Sequence, residues 1–284
     1  MALARGRVRR ADSAGVPTGV SDPSDAFARF GRLAGLPPDA IPLDEACAAI
    51  GAHLDAAPEA LAVPDRLAEI ASAVPGTTVE ALVTHLFETV GLYGDIETYD
   101  DPANSFLHRV LERRRGLPIS LSIITVEVGR RIGLDLAGVG MPGHFLVVDR
   151  SADGRFLDPF VGGRMLDAAE CRERFHHLYG PGAPFTDAYL QPTPTVDVLA
   201  RVLANLRAGY TRRGDKRLLA EVLRMRALLP KRSPAEDGEL ASALQAVGSF
   251  GEAAAACERA AAHAEGADRS RLEARAQRLR AKLN

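Results

Sequence analysis

The sequence predicts an α+β fold in which helices pack on a small antiparallel sheet, followed by an all-helical region. Three observations predict it. Between Pro23 and Arg115, apolar residues recur at three- and four-residue steps in short segments punctuated by Pro and Gly. From Leu136 to Asp158 the pattern becomes short and β-rich, and from Asp197 onward only helical patterns remain.

The chain has 284 residues, 46% of them hydrophobic and 25% charged, which suits a globular protein with a full core and room for two units. A net charge of −2 supplies no basic stripe to offset phosphates, so nucleic acid is not an expected partner. No apolar run is long enough to span a membrane. Cys47, Cys171 and Cys257 are widely spaced and odd in number, so neither a disulfide framework nor a zinc site is expected. The reading is of three reduced, buried thiols in a cytoplasmic protein without metal or cofactor. Residues 1–22 carry Arg5, Arg7, Arg9 and Arg10 with no apolar signal core after them, and read as a disordered tail.

Asp44 to Ile50 begins one helix, Pro64 to Ala73 forms a second, and Thr78 to Val90 a third with Thr77 or Thr78 as N-cap. Asn104 to Arg114 reads as another, capped by Asn104 and stopped by Gly116. Pro118 restarts a helix at its first turn, where a missing N–H costs nothing. The residues from Ile119 to Ile132 are apolar on more than one side, so this helix is expected at the centre of the domain, ending at Arg130-Arg131-Ile132-Gly133. Strands are expected at Leu136 to Met141, Phe145 to Val148 and Arg155 to Asp158, with Ala152-Asp153-Gly154 as a hairpin turn. Glu170 to Phe175 lies on a helix capped by Asp167, and Gly162-Gly163 reads as a turn. His176-His177 lacks the spacing for metal ligation.

A spacing of 34 residues aligns Leu206 with Leu240, Tyr210 with Leu244, Gly214 with Gly248, Ala220 with Ala254 and Ala227 with Ala261, the period of a tetratricopeptide helix pair. Pro192 to Thr195 reads as the linker. The expected organisation is a tail at 1–22, one domain over 23–191 and a tetratricopeptide-like helical domain over 196–284.

His144 follows Pro-Gly on an expected strand, and Asp158 lies fourteen residues later across one turn, a spacing that can bring imidazole and carboxylate together. Such a pair orients a general base, or satisfies a buried histidine. A nucleophile for it would sit at a helix start, where Ser120 and Ser122 are the candidates. A hydroxyl there is also an ordinary first-turn residue bonded to backbone. Asn104 and Arg115 are candidate cleft residues, although a cap and a solvated helix-end charge are the plainer roles.

The stretches Asn104 to Leu107, Val110 to Ser122, Gly138 to Phe145, Asp158 to Phe160 and Gly162-Gly163, in that order, resemble the SirB1 family of transglutaminase-like proteins. The likeness runs from about Pro64 to the C-terminus, where Arg201 to Leu206 and Tyr210 fit the start of that family's tetratricopeptide-like tail. It implies a papain-like, transglutaminase-type core, with His144 and Asp158 on the family's usual histidine and aspartate positions. In catalytic members the helix opens Gly-x-Cys; counting back from Gly133 puts Pro118 at the cysteine. The resemblance thus implies a protein without the usual nucleophile, whose cleft, including Pro118 and Gly143, holds a protein or peptide partner. The alternative is an amide-bond hydrolase or acyl transferase using Ser120, His144 and Asp158.

Overall fold

A computed structural model describes residues 23–151 and 154–283. The expected tail at 1–22 and the first two residues of the expected hairpin turn lie outside them. Helices α1 (Pro23–Ala34), α2 (Leu43–Leu54), α3 (Val63–Ser72) and α4 (Val79–Val83) come first. Thr78 caps α4 by accepting the Ala81 N–H at 3.2 Å, and a π-helical turn at Thr84–Thr89 extends it. β1 (Tyr93–Gly94), α5 (Leu107–Arg113), β2 (Arg115–Gly116) and α6 (Pro118–Arg131) follow, β1 pairing parallel with β2.

The helix expected over 104–114 is shorter. Asn104 belongs to a 3-10 turn at Pro102–Ser105 capped by Asp101, and it points its amide Nδ2 at the Thr98 carbonyl, 2.7 Å away, instead of capping α5. Arg114, in the left-handed region at φ 59°, stops α5, so Gly116 is free to pair with β1.

α6 is the central helix, with Ile119, Leu121, Ile123, Ile124 and Val128 all buried. It ends in two reverse bonds, Gly133 N–H to the Arg130 carbonyl and Leu134 N–H to that of Gly129, with Gly133 at φ 85°. Only glycine takes that conformation without strain, as the sequence spacing predicts.

β3 (Leu136–Val139), β4 (Leu146–Asp149), β5 (Phe156–Asp158) and β6 (Arg164–Leu166) form one antiparallel sheet in chain order. β6 was not expected from the sequence, because three residues ending in a single buried Leu166 carry too little pattern. The sheet alternates as its pleat requires. Val147 and Leu157 join the core that contains α6, whereas Leu146, Phe156 and Leu166 join a cluster with Cys171 and Phe175 of α7 (Ala168–Tyr179). Asp167 and Glu170 close a reciprocal cap on α7.

The C-terminal helices are α8 (Thr195–Arg213), α9 (Lys216–Leu228), α10 (Pro234–Ala246), α11 (Phe250–Ala262) and α12 (Gly266–Arg280). Three of the pairs matched at 34 residues are equivalent in burial, Leu206 and Leu240, Tyr210 and Leu244, and Ala220 and Ala254 all being buried, whereas Ala227 is partly exposed and Ala261 buried. Gly214 and Gly248 adopt φ 68° and 79° just after α8 and α10. α8 does not stand apart from the rest, since Val198, Leu199, Val202 and Leu206 share the core built around α6. Among the described residues, no helix is long and apolar enough to cross a membrane.

Candidate functional site

The β4–β5 register decides the site. Val147 faces Leu157 and Val148 faces Phe156, so one further step puts Asp158 opposite Leu146 and diagonal to residue 144. Even-numbered residues of both strands face α7, which places His144 and Asp158 on the same side of the sheet. His144 stands just before β4 rather than on a strand. It ends a turn Met141-Pro142-Gly143-His144, closed by the His144 N–H on the Met141 carbonyl at 3.1 Å, with Gly143 at φ 73°. Pro then Gly at the two central positions is the type II signature.

His144 Nε2 lies 2.9 Å from Asp158 Oδ1. With Nε2–H donating to the carboxylate, the neutral ring leaves Nδ1 as its acceptor. Asp158 is wholly buried, and Oδ1 also accepts the Phe160 N–H at 3.1 Å. Its second oxygen has a charge partner but no hydrogen bond: Arg174 approaches Oδ2 at 3.1 Å, off the hydrogen-bonding direction. The Phe160 ring meets the imidazole edge-on, with centroids 6.1 Å apart.

A cleft of about 640 Å³ opens beside this pair. Pro118 at the start of α6, Gly143 and His144 of the turn, Phe160, Tyr99 and the α7 residues Arg174 and Leu178 line it. Half-exposed Tyr99, Leu178 and Tyr179 give its surroundings an apolar surface. Sequence reasoning missed Arg174 and Tyr99, which have no motif; they reach the site through the docking of α7 and of the loop before α5.

Ser120 lies elsewhere. Its hydroxyl accepts the Leu117 N–H at 2.9 Å and donates toward the carbonyls of Asn104 (2.7 Å) and Leu117 (3.1 Å). It is buried and is not among the residues lining the cleft. Ser122 directs its hydroxyl to the Phe145 carbonyl at 3.4 Å and lines a different cavity. Arg115 and Asn104 do not line the cleft either. Arg115 pairs with Glu97 at 3.6 Å and lies over the Tyr93 ring, while Asn104 is fully buried behind the α6 start.

The start of α6 carries no thiol, and two of its backbone positions have no donor to spare. Pro118 has no N–H, and that of Leu117 is occupied by Ser120. The cysteines do not compensate. Cys171 neighbours Asp158 from the α7 side, but burial, reinforced by the Asp158 charge, pushes its thiol up to about 12. Burial raises Cys47 and Cys257 as well. Among the described residues, no group of three or more His, Cys, Asp or Glu is placed to hold a metal ion.

A family model described as the transglutaminase-like superfamily matches residues 43–204. A UPF0162 protein of Xylella fastidiosa is 47% identical over 134 residues, covering 46% of this chain and 48% of the relative. The UPF0162 protein of Pseudomonas aeruginosa is 38% identical over 114 residues, 40% of this chain and 42% of its own. Mouse F-box only protein 21 is 30% identical over 145 residues, 48% of this chain and 22% of the relative. The matched region spans about half or less of these relatives. No solved structure matches the chain.

Proposed function

The chain belongs to the transglutaminase-like superfamily, and on that premise we propose that it is a binding or regulatory module whose cleft receives a peptide or protein segment. One observation carries the reading: the helix start that shares the cleft with His144 is Pro118, which has neither a thiol nor an N–H to offer an oxyanion. The cleft itself is retained, with apolar Tyr99, Phe160 and Leu178 around a polar His144. That mixture suits an extended segment with an apolar side chain. Within this reading the protein is a cytoplasmic, SirB1-type member, with residues 23–191 as the transglutaminase-like domain and 196–284 as a tetratricopeptide-like tail. The burial of residues matched at 34-residue spacing supports the tail assignment. The likeness to part of an F-box protein is in keeping with a role in protein interaction.

A peptide array probed with the full chain tests the binding role. Capture of a subset of peptides by the parent, lost on Leu178→Asp at the cleft mouth, is the expected result. Cleavage of the peptides, or capture indifferent to Leu178→Asp, overturns it.

The second reading, an amide hydrolase or acyl transferase using Ser120, His144 and Asp158, draws on the intact His144–Asp158 pair. It requires Ser120 to leave its three backbone contacts and move to the imidazole. Labelling by a fluorophosphonate probe that disappears in Ser120→Ala and in His144→Gln would favour it.

A further inference from the structure

We propose that Arg201 of α8 is a positioning residue that holds the Met141–His144 turn, and with it the imidazole, in the orientation the cleft uses. Its guanidinium donates from both terminal nitrogens to the Met141 carbonyl, at 3.1 Å each, and from one of them to the His144 carbonyl at 2.8 Å. Those two carbonyls belong to the first and last residues of the turn. The Met141 carbonyl thus receives the turn-closing N–H of His144 and the cation together.

The guanidinium also lies over the Phe145 ring, 5.4 Å from its centroid, so one side chain touches Met141, His144 and Phe145. Among the described residues no carboxylate pairs with Arg201. A half-buried cation without a counterion is costly unless backbone dipoles satisfy it, and here two carbonyls do. Burial draws its pKa below the ordinary arginine value, with Tyr99 and Tyr179 as its opposing electrostatic neighbours. Tyr99 lines the cleft, and the Tyr179 hydroxyl reaches so near the cleft residue Gly143 that a Cβ there would stand 2.9 Å from it.

A planar fork suits this task and an ammonium does not. Arg presents several donors in fixed geometry and spans two acceptors, whereas Lys offers one point charge. The consequence for the molecule is a direct connection: α8, the first helix of the C-terminal region, sets the orientation of a side chain in the cleft. This role rests on the reading of the cleft as the working surface.

The test is made on the free full chain, so it does not depend on finding a ligand. Long-range proton–nitrogen spectra of the histidine side chains, with His144 assigned from its missing signals in His144→Gln, report the tautomer. In the parent, His144 is expected to show one fixed form, protonated at Nε2, and its backbone amide to exchange slowly. Arg201→Lys and Arg201→Gln are expected to give averaged ring nitrogens and His144 amide exchange faster by about tenfold, with the remaining folded-state spectrum retained. An unchanged His144 pattern in either folded variant overturns the proposal. Failure of both variants to fold also overturns it, since Arg201 would then serve the core and not the turn. A failed peptide array with a positive result here would remove the binding role and leave the positioning role standing.

Discussion

Asp158 Oδ1 stands 2.9 Å from His144 Nε2 and 3.1 Å from the Phe160 N–H, so one buried oxygen holds both the imidazole and the first turn after β5. Removing the carboxylate strips two donors of their acceptor and Arg174 of its charge partner. Asp158→Ala is expected to lower stability by about 3 kcal/mol, and Asp158→Asn by less, because an amide oxygen still accepts from both donors. Urea unfolding of the two variants against the parent checks the order; equal losses would contradict it.

Ser120 is expected to act on stability rather than on chemistry. Ser120→Ala removes the hydroxyl from the Leu117 N–H and the Asn104 carbonyl, which keep only their long 3.4 Å bond to each other, at a cost of about 1–2 kcal/mol. The measurement is a thermal or urea midpoint, accompanied by fluorophosphonate labelling that is absent from parent and variant alike.

Gly94 lies against Phe160, which lines the cleft. A Cβ there would fall 2.5 Å from both the Phe160 ring and its carbonyl oxygen. Gly94→Ala is therefore expected to cost about 1–3 kcal/mol and to displace Phe160, visible as shifted His144 ring signals. Gly214→Ala, with open space about its Cβ but φ 68°, is expected to cost only the backbone strain of about 1–2 kcal/mol and leave those signals in place.

The thiols are expected to be inert in the folded chain. With Cys171 pushed up to about 12, roughly one molecule in ten thousand carries its thiolate at pH 8. Iodoacetamide at that pH should modify all three cysteines quickly in urea and slowly in buffer, read by intact mass. Rapid native labelling at Cys171 would count against the burial of that side chain.

Acid stability has an identifiable contributor in Asp55. Burial opposes its ionisation, but hydrogen bonds from His108 (3.0 Å) and Arg109 (2.6 Å) outweigh it and hold its pKa below the ordinary 3.8. The unfolded carboxyl takes up its proton near 3.8 and the folded one only at lower pH. Its stabilisation is thus present above 3.8 and lost as pH falls through the folded value. Asp55→Asn is expected to be less stable than the parent at pH 7, with the difference shrinking below pH 3.8. Urea midpoints across pH 2 to 7 measure it.

Local pattern and turn chemistry were sufficient for many elements. Pro118 to Gly133 carries its own start, its own buried periodicity and its own stop, so its limits are readable without a partner. Leu136 to Asp158 alternates strongly enough to reveal three strands, and a separation of fourteen positions from His144 to Asp158 suffices to bring the pair together across a hairpin. The limits of α5 were not readable. Arg114 is a poor residue for the left-handed region, and only the pairing of Tyr93-Gly94 with Arg115-Gly116 puts it there. Ser120 illustrates the same limit, since a hydroxyl two residues into a helix looks identical whether it faces a cleft or the carbonyl of Asn104.

The sequence by itself determined the class of fold, the central helix and the partnership of His144 with Asp158, because each depends on residues close together along the chain. The tertiary structure decided what surrounds them. Arg174 beside Asp158, Tyr99 at the cleft, Ser120 in a backbone pocket and Arg201 behind the His144 turn come from elements separated by long stretches of chain. Their meeting is set by packing of whole helices on the sheet, a property of the assembled core that no local spacing encodes.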